Sequence, residues 1–165
     1  MTSSSLPTRR FHVGEILSAT TGTTIGRKSE AGLYDLVGFM VGVDRKIDDR
    51  EFLASISAVR RSLFQQVPGT ERIHAPVFSS VDEVEAWMLE QIQVLGVEEV
   101  DLSPLPLDDS ARDLSQEAVE LRIARRVDEW ISEQIIVVSM PPAGPTPWDP
   151  RASGAIAPTA PHPPG

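Results

Sequence analysis

The residues best suited to chemistry lie in one glycine-containing stretch, residues 22–29, which reads GTTIGRKS. A P-loop has the form GxxxxGK(S/T), in which backbone N–H groups surround a phosphate and the lysine reaches it. Gly22, Lys28 and Ser29 have the mutual spacing of that motif, but Arg27 stands where the second glycine belongs. We therefore interpret the stretch as a polar turn that leads into a helix. The alternative is a looser anion site whose residues would be Gly22, Gly26, Lys28 and Ser29.

Histidines and serines give weaker indications of catalysis. His12, His74 and His162 are not spaced with other ligands as in zinc sites, so the sequence predicts no metal site. A serine–histidine–aspartate set could be assembled only from Ser18, His12 and Asp35, and no nucleophile elbow accompanies it. The chain has no cysteine, which excludes thiol catalysis and thiolate ligands. The sequence favours a protein without a catalytic residue or a cofactor.

Two features have the character of partner-binding sites. Arg122, Arg125 and Arg126 lie at helical spacing, so they predict either a solvated helix face or a surface for an anionic partner. Arg125 and Glu129 are four residues apart and predict an ion pair on that face. Trp148 lies in the proline-rich segment PTPWDP, where an extended chain leaves an aromatic side chain without local burial. We interpret it as a tail residue or as an anchor for a partner protein.

Length and composition predict one folded domain between two tails. The chain has 165 residues, of which 41% are hydrophobic, and the apolar residues are sparse at both ends. Residues 1–10 are rich in serine and threonine, and residues 141–165 hold nine of the 14 prolines. Neither end can bury enough apolar surface to offset the entropy of ordering it. The sequence predicts disordered tails at 1–10 and 141–165 and a single globular domain at 11–140.

The net charge and the hydropathy of the chain limit the classes of partner that it is expected to bind. The formal net charge of −9 argues against binding to nucleic acid or to anionic membranes, because both attract basic surfaces. No stretch has the length and hydropathy of a transmembrane helix. Arg9 and Arg10 are not followed by the apolar segment of a signal peptide. The absence of cysteine fits a reducing compartment, so we expect a cytoplasmic protein. We expect its partner to be another protein.

The first half of the domain is predicted to be mainly helical. Residues 10–13 are compatible with a short strand, and residues 15–21 with its continuation or with one to two helical turns that end at Gly22. Apolar residues at helical spacing predict a helix over 29–41 and another from 48 or 49 to 66. A glycine or a proline follows each of these helices and stops it.

The second half is predicted to end in a βαβ unit. A capping box at Ser80 opens a helix that ends at Gly96, and residues 97–102 alternate apolar with acidic residues as a half-buried strand does. A helix over about 110–133 follows, and the β-branched run at 135–140 predicts an interior strand. The apolar side chains that this helix is expected to bury are Leu114, Leu121, Ile123 or Ala124, Val127, Trp130 and Ile131.

These segments together predict an α+β or α/β fold. The expected architecture is a single two-layer domain with three to five helices on a small sheet and a C-terminal β-α-β-like unit. The sequence shows no internal repeat. Such an architecture assigns no activity by itself, because one fold carries many functions.

Two segments resemble the beginning of a known protein family. Residues 11–22 read FHVGEILSATTG, and residues 32–42 read GLYDLVGFMVG. They are similar to the segments GxxLSxTTG and GxYDLLxFMTG of a family of small uncharacterised proteins frequent in phages and prophages, as are a Trp-containing helix at 84–95 and a closing helix and strand at 111–140. Family members tend to begin a helix with a histidine where this chain has RKID at 45–48. The resemblance implies an accessory protein of a mobile element and supplies no catalytic residue.

Three functions are consistent with these observations. The favoured one is a small non-catalytic accessory protein that binds another protein, for which an exposed apolar or aromatic patch would be the signature. The second is nucleotide or phosphate binding by the turn at 22–29. The third is nucleic-acid binding by the helix face of Arg122, Arg125 and Arg126, acting against the overall negative charge.

Overall fold

The computed structural model describes residues 6–25 and 29–138 of the chain. These residues contain five α-helices and a two-stranded sheet. Two short 3₁₀ segments, Thr70–Arg72 and Ser110–Arg112, lie in the connections. The chain divides into two compact units, residues 1–126 and residues 127–165. The strands are β1 (Arg9–His12) and β2 (Glu99–Leu102), and the helices are α1 (Val13–Thr21), α2 (Ser29–Val41), α3 (Asp49–Gln66), α4 (Val81–Leu95) and α5 (Gln116–Val138).

The sheet is antiparallel. Arg9 lies opposite Leu102 and His12 opposite Glu99, and the Val13 N–H donates to the Glu98 carbonyl oxygen at 2.8 Å, one step beyond the paired residues. The strands predicted at 10–13 and 97–102 are therefore present, with ends that differ by at most two residues. Arg9 and Arg10, which composition places in the N-terminal tail, begin β1.

The ambiguous segment at 15–21 is helical. His12 precedes α1 and caps it, because its Nδ1 accepts from the Gly14 N–H at 3.0 Å. Gly22 ends the helix in the left-handed region, with φ of 76°, and its N–H donates to the Ser18 carbonyl oxygen. Eight of the nine residues of α1 are buried. A short apolar run of this kind is compatible with either a buried strand or a buried helix. The two caps favour the helix.

The apolar core of the first unit consists of two clusters that meet at α1. Ile16 lies in the larger cluster with side chains from α2, α3 and β2. Leu17, its neighbour in the chain, lies in the smaller cluster, which α4 closes through Met88 and the partly buried Trp87. Successive helical residues lie about 100° apart, so one short helix serves two clusters. The largest fully buried residues of the first cluster are Ile16, Leu36, Met40, Leu63 and Leu102.

The predicted start of α3 is confirmed and is strongly capped. The Asp48 carboxylate accepts from the Glu51 N–H at 2.8 Å, and the Glu51 carboxylate accepts from the Asp48 N–H at 2.9 Å, a reciprocal capping box. Both guanidinium Nη atoms of Arg45 donate to the two Glu51 carboxylate oxygens. These bonds to Arg45, and secondarily the bond from the Asp48 N–H, lower the pKa of Glu51.

The predicted start of α4 is confirmed, although the capping differs. Ser80 Oγ accepts from the Glu83 N–H at 3.3 Å, as a capping box requires. The Glu83 carboxylate accepts from the N–H of Ser79, one residue earlier than in the reciprocal arrangement. Gly96 then ends the helix in the left-handed conformation, with φ of 72°.

The predicted C-terminal βαβ unit is wrong. Residues 135–138, expected as a strand, continue α5, and residues 139–140 lie outside the described residues. The helix begins at Gln116 and not at about residue 110, the predicted start, where residues 110–112 form a 3₁₀ turn. β-branched residues disfavour a helix by less than about 1 kcal/mol each, so a long helix extends through them. The chain is mainly helical with a small antiparallel sheet, which corrects the α/β alternative and keeps the α+β class.

Candidate functional site

Three N–H groups of the turn after α1 donate hydrogen bonds to acceptors within the chain. The Gly22 N–H donates to the Ser18 carbonyl oxygen at 3.1 Å, and the Thr23 N–H donates to Thr21 Oγ1 at 3.3 Å. The Ile25 N–H donates to the buried Ser18 Oγ at 2.8 Å, and the Ile25 side chain enters the smaller apolar cluster. A phosphate cradle needs such N–H groups directed at the ligand. This part of the turn closes a helix and anchors it in the core.

The rest of the anion site stays a prediction. Gly26 and Lys28 lie outside the described residues, and Ser29 is the first residue of α2. Of the four residues singled out, the structure thus places Gly22 as a helix stop and Ser29 at a helix start.

The candidate serine–histidine–aspartate set is distributed over separate structural roles. His12 Nδ1 caps α1 through the Gly14 N–H, and Ser18 Oγ donates to the Gly14 carbonyl oxygen at 2.7 Å. Asp35 receives both guanidinium Nη atoms of Arg9, at 2.6 and 3.1 Å. Each side chain thus has a partner that explains its position in the fold, and the three do not form a catalytic relay.

The three arginines of the predicted basic face separate into different roles. Arg122 is half-buried and donates to the carbonyl oxygens of Ser110 and Asp113, at 2.6 and 2.5 Å. These oxygens belong to the first residue of the 3₁₀ segment Ser110–Arg112 and to the residue that follows it, so Arg122 links this segment to the first turns of α5. The Arg122 guanidinium thus has backbone partners within the chain.

Arg126 and Arg125 are exposed, and only Arg126 is anchored. Arg126 donates through Nη1 to the Leu53 carbonyl oxygen in α3 at 2.9 Å. Within the described part of the chain, the ion pair predicted between Arg125 and Glu129 does not form, since neither takes part in any ion pair there. Arg122 and Arg126 thus donate to different segments of the backbone. Trp148 lies outside the described residues.

Most of the apolar residues that the long helix was expected to bury are exposed, although Leu114 and Ile123 are half-buried and Leu114 packs against the larger cluster. Leu121 is 62% exposed, although the sequence pattern assigns it to the core. Val127, Trp130 and Ile131 are 48%, 62% and 44% exposed. Every residue of α5 from 124 to 133 is exposed. We call Val127, Trp130 and Ile131 the α5 stripe, because residues three and four apart lie on one face of a helix.

The α5 stripe is the strongest candidate functional site. Burying a side chain of this size contributes about 2 kcal/mol relative to leaving it in water, so three exposed ones favour association. In proteins most of the stability of a helix comes from packing of its apolar face. Asp128, Glu129 and Glu133 are acidic residues close to the stripe in the sequence. The sequence pattern identified these apolar residues and assigned them to a core, whereas the structure assigns them to the surface.

A second feature, a cleft beside α2, was not found from the sequence. It has a volume of about 800 Å³ and includes Glu30, Tyr34, Arg45 and Lys46 among its lining residues. The Tyr34 ring stacks on Phe52 with centroids 4.6 Å apart. The Tyr34 hydroxyl donates to Asp49 Oδ1 at 2.7 Å. This bond, and secondarily partial burial, raises the pKa of Tyr34 to about 12. The phenol therefore stays protonated at neutral pH and cannot act as a base.

Tyr34 is the only tyrosine of the chain, which makes its titration directly measurable. We expect the phenolate absorbance near 295 nm to rise with a midpoint at about pH 12 rather than 10. Because the pKa is raised in the folded state, the bond stabilises the fold fully below pH 10 and this contribution is lost as the pH rises through about 12. Asp49→Asn should move the midpoint back towards 10, whereas Glu30→Gln, which removes a weaker charge effect, should barely change it. A wild-type midpoint at 10 would contradict the bond.

Comparison of the chain with protein-family models, with curated proteins and with solved structures gives no match. In residues 6–25 and 29–138, no group of three or more histidine, aspartate or glutamate side chains is placed to hold a metal ion. Likewise, none of the helices described is long and apolar enough to cross a membrane.

Proposed function

We propose that the protein is a non-catalytic interaction protein and that the α5 stripe is its contact surface. The observation that carries this proposal is the exposure of Trp130, 62%, between Val127 and Ile131 on one helix face. Tryptophan is the residue type most enriched among the energetically dominant residues of protein interfaces. An apolar stripe of i, i+3 and i+4 residues is also the pattern by which a helix enters a groove on a partner.

The charges around the stripe favour a protein partner over nucleic acid. Asp128, Glu129 and Glu133 would repel phosphates, and the chain as a whole carries a net charge of −9. Two of the three arginines that could oppose this effect donate to backbone carbonyl oxygens. We extend the proposal to the context that the resemblance of residues 11–22 and 32–42 implies, an accessory protein of a phage or prophage.

Affinity capture from the host with single alanine variants tests the proposed surface. Trp130→Ala should remove the partner or weaken its binding roughly 30-fold, because truncating a dominant interface residue costs about 2 kcal/mol. Leu89→Ala is the matched control, since Leu89 is 55% exposed on α4 and lies outside the stripe. A partner retained by wild type and by Leu89→Ala and lost by Trp130→Ala supports the proposal. Retention of every partner by Trp130→Ala, or the absence of any partner including a second copy, would overturn it.

A further inference from the structure

We propose that a cleft between residues 68–74 and the last turns of α4 binds a small organic carboxylate with an apolar body. The cleft has a volume of about 550 Å³, which lies within the range of sites for small molecules. It belongs to the first unit and shares no residue with the α5 stripe, so the inference does not rest on the proposed function. The lining side chains that carry the argument are Arg72, Ile73, His74, Gln91, Val94 and Leu95.

Both walls of the cleft are fixed by the fold. Ile73 from one wall and Leu95 from the other pack against the smaller apolar cluster. Thr70, in the first wall, is 1% exposed, and its Oγ1 donates to the Val67 carbonyl oxygen at 2.8 Å. The Ile73 N–H donates to the Thr70 carbonyl oxygen at 3.2 Å. The cleft is therefore formed before a ligand binds, which lowers the entropic cost of binding.

Three side chains that can donate hydrogen bonds line the cleft, and their donors are not used elsewhere. Neither His74 nor Gln91 makes a side-chain hydrogen bond within the described residues. The Arg72 side chain makes only an ion pair there, with its Nε 4.0 Å from Glu71 Oε1. The other oxygen of that carboxylate, Oε2, accepts from the Gly69 N–H at 2.7 Å. An amide, an imidazole in either protonation state and the Nη groups of a guanidinium can all donate to an oxyanion.

The acidic residues of this region do not line the cleft. Residues 73–111 contain nine acidic residues and neither lysine nor arginine, yet no carboxylate is among the lining groups. Asp82 and Glu85 precede Gln91 by nine and six residues, which places them about 180° and 120° round the helix from it. Glu90 lies about 100° from Gln91. The cleft is therefore a local exception on an acidic part of the surface.

The charge and the lining of the cleft favour a ligand with one negative charge. Arg72 is the only permanently charged residue that lines it, and the whole chain carries a net charge of −9, which repels a phosphate dianion more strongly than a carboxylate. The planar fork of a guanidinium matches the two oxygens of a carboxylate. Ile73, Val94 and Leu95 supply apolar contact. Val94 is 70% exposed, so a hydrocarbon body placed against it removes apolar surface from water.

Titration of the full chain with 3-phenylpropionate, followed by ¹H–¹⁵N nuclear magnetic resonance, tests the inference. A ligand of about 11 non-hydrogen atoms in a cleft open to solvent should bind with a dissociation constant of roughly 1 mM. The largest shifts should fall in residues 69–74 and 91–95. The neutral analogue 3-phenylpropanamide should bind about tenfold more weakly, because it loses the charge-assisted bond to Arg72. Inorganic phosphate should also bind about tenfold more weakly, because it has no apolar body.

Two matched pairs of variants separate the cleft from general effects of charge and polarity. Arg72→Gln should weaken binding of phenylpropionate about tenfold, whereas Arg61→Gln, at an exposed position of α3 outside the cleft, should not change it. Gln91→Leu should weaken binding about threefold, whereas Gln93→Leu, at an exposed position of the same helix, should not. Circular dichroism melting of each variant verifies that it folds.

Each contrary result overturns a stated part of the inference. An unchanged spectrum at about 20 mM phenylpropionate, or shifts confined to residues outside the two walls, overturns the site. Equal affinity for the amide, or equal affinity in Arg72→Gln and Arg61→Gln, overturns the recognition of a carboxylate. Phosphate that binds as tightly as phenylpropionate overturns the role of the apolar wall. The proposed function is decided separately, by capture with Trp130→Ala.

Discussion

Replacing Leu63 with alanine should lower the free energy of unfolding by about 3 kcal/mol, whereas Leu121→Ala should change it by less than about 0.5 kcal/mol. Both leucines lie in helices and both belong to apolar faces predicted from the sequence. Leu63 is fully buried in the larger cluster, so its loss removes apolar contacts and leaves a cavity. Leu121 is 62% exposed and has little buried contact to lose.

Urea denaturation followed by circular dichroism measures both values under the same conditions. The concentration should be kept low, around 1 µM, so that association through α5 does not stabilise the native state. A loss of about 2 kcal/mol or more in Leu121→Ala would mean that Leu121 is buried within the chain, contrary to its exposure in the structure.

Gly42→Ala should destabilise the fold by about 2 kcal/mol, and Gly96→Ala by about 1 kcal/mol. Both glycines end a helix with positive φ, 79° and 72°, and an alanine at either position is strained by this conformation. At Gly96 an added Cβ would meet nothing within 4 Å. At Gly42 it would collide with the Arg112 guanidinium. Displacing that group also breaks the bond from Arg112 Nη1 to the Leu105 carbonyl oxygen.

The pair of glycine variants separates the two costs, because Gly96→Ala measures the conformational strain alone. The excess in Gly42→Ala measures the displacement of Arg112. In an Arg112→Ala background, Gly42→Ala should cost no more than Gly96→Ala, since the obstructing group is gone. Equal losses of stability in the two single variants would show that Arg112 does not lie against Gly42.

The helices whose ends carry local signals were predicted closely. α3 begins after an aspartate that caps it and whose partner Glu51 lies three residues on, so both halves of the signal are in the sequence. α4 likewise begins after Ser80 and ends at Gly96. Such signals act within one turn of the chain, and for that reason local sequence suffices to predict them.

The end of α5 was predicted poorly for the converse reason. Residues 135–138 carry the composition of an interior strand, but a strand forms only beside another strand. The pairing of β2 with β1, two segments some 90 residues apart, is not encoded in either one alone. Composition therefore assigned to a sheet a segment that continues a helix.

The candidate site was recognised only in part. Periodicity identified Val127, Trp130 and Ile131 as one apolar face, which the structure confirms as a helix face. It assigned that face to the core, which is wrong, because periodicity does not tell whether another element covers the face. The bond of Tyr34 to Asp49 was also missed, since it joins two helices through side chains 15 residues apart.

The amino-acid sequence by itself determined where most helices begin and end. It also determined that the chain is acidic and that thiol chemistry is excluded, because the chain has no cysteine. These properties follow from composition and from interactions between residues a few positions apart. Only the tertiary structure decided which strands pair, which arginines donate to backbone carbonyl oxygens, and that Trp130 is exposed to solvent. Each of these depends on contacts between segments distant in the chain, where the gain from burial is set by what the whole fold brings together.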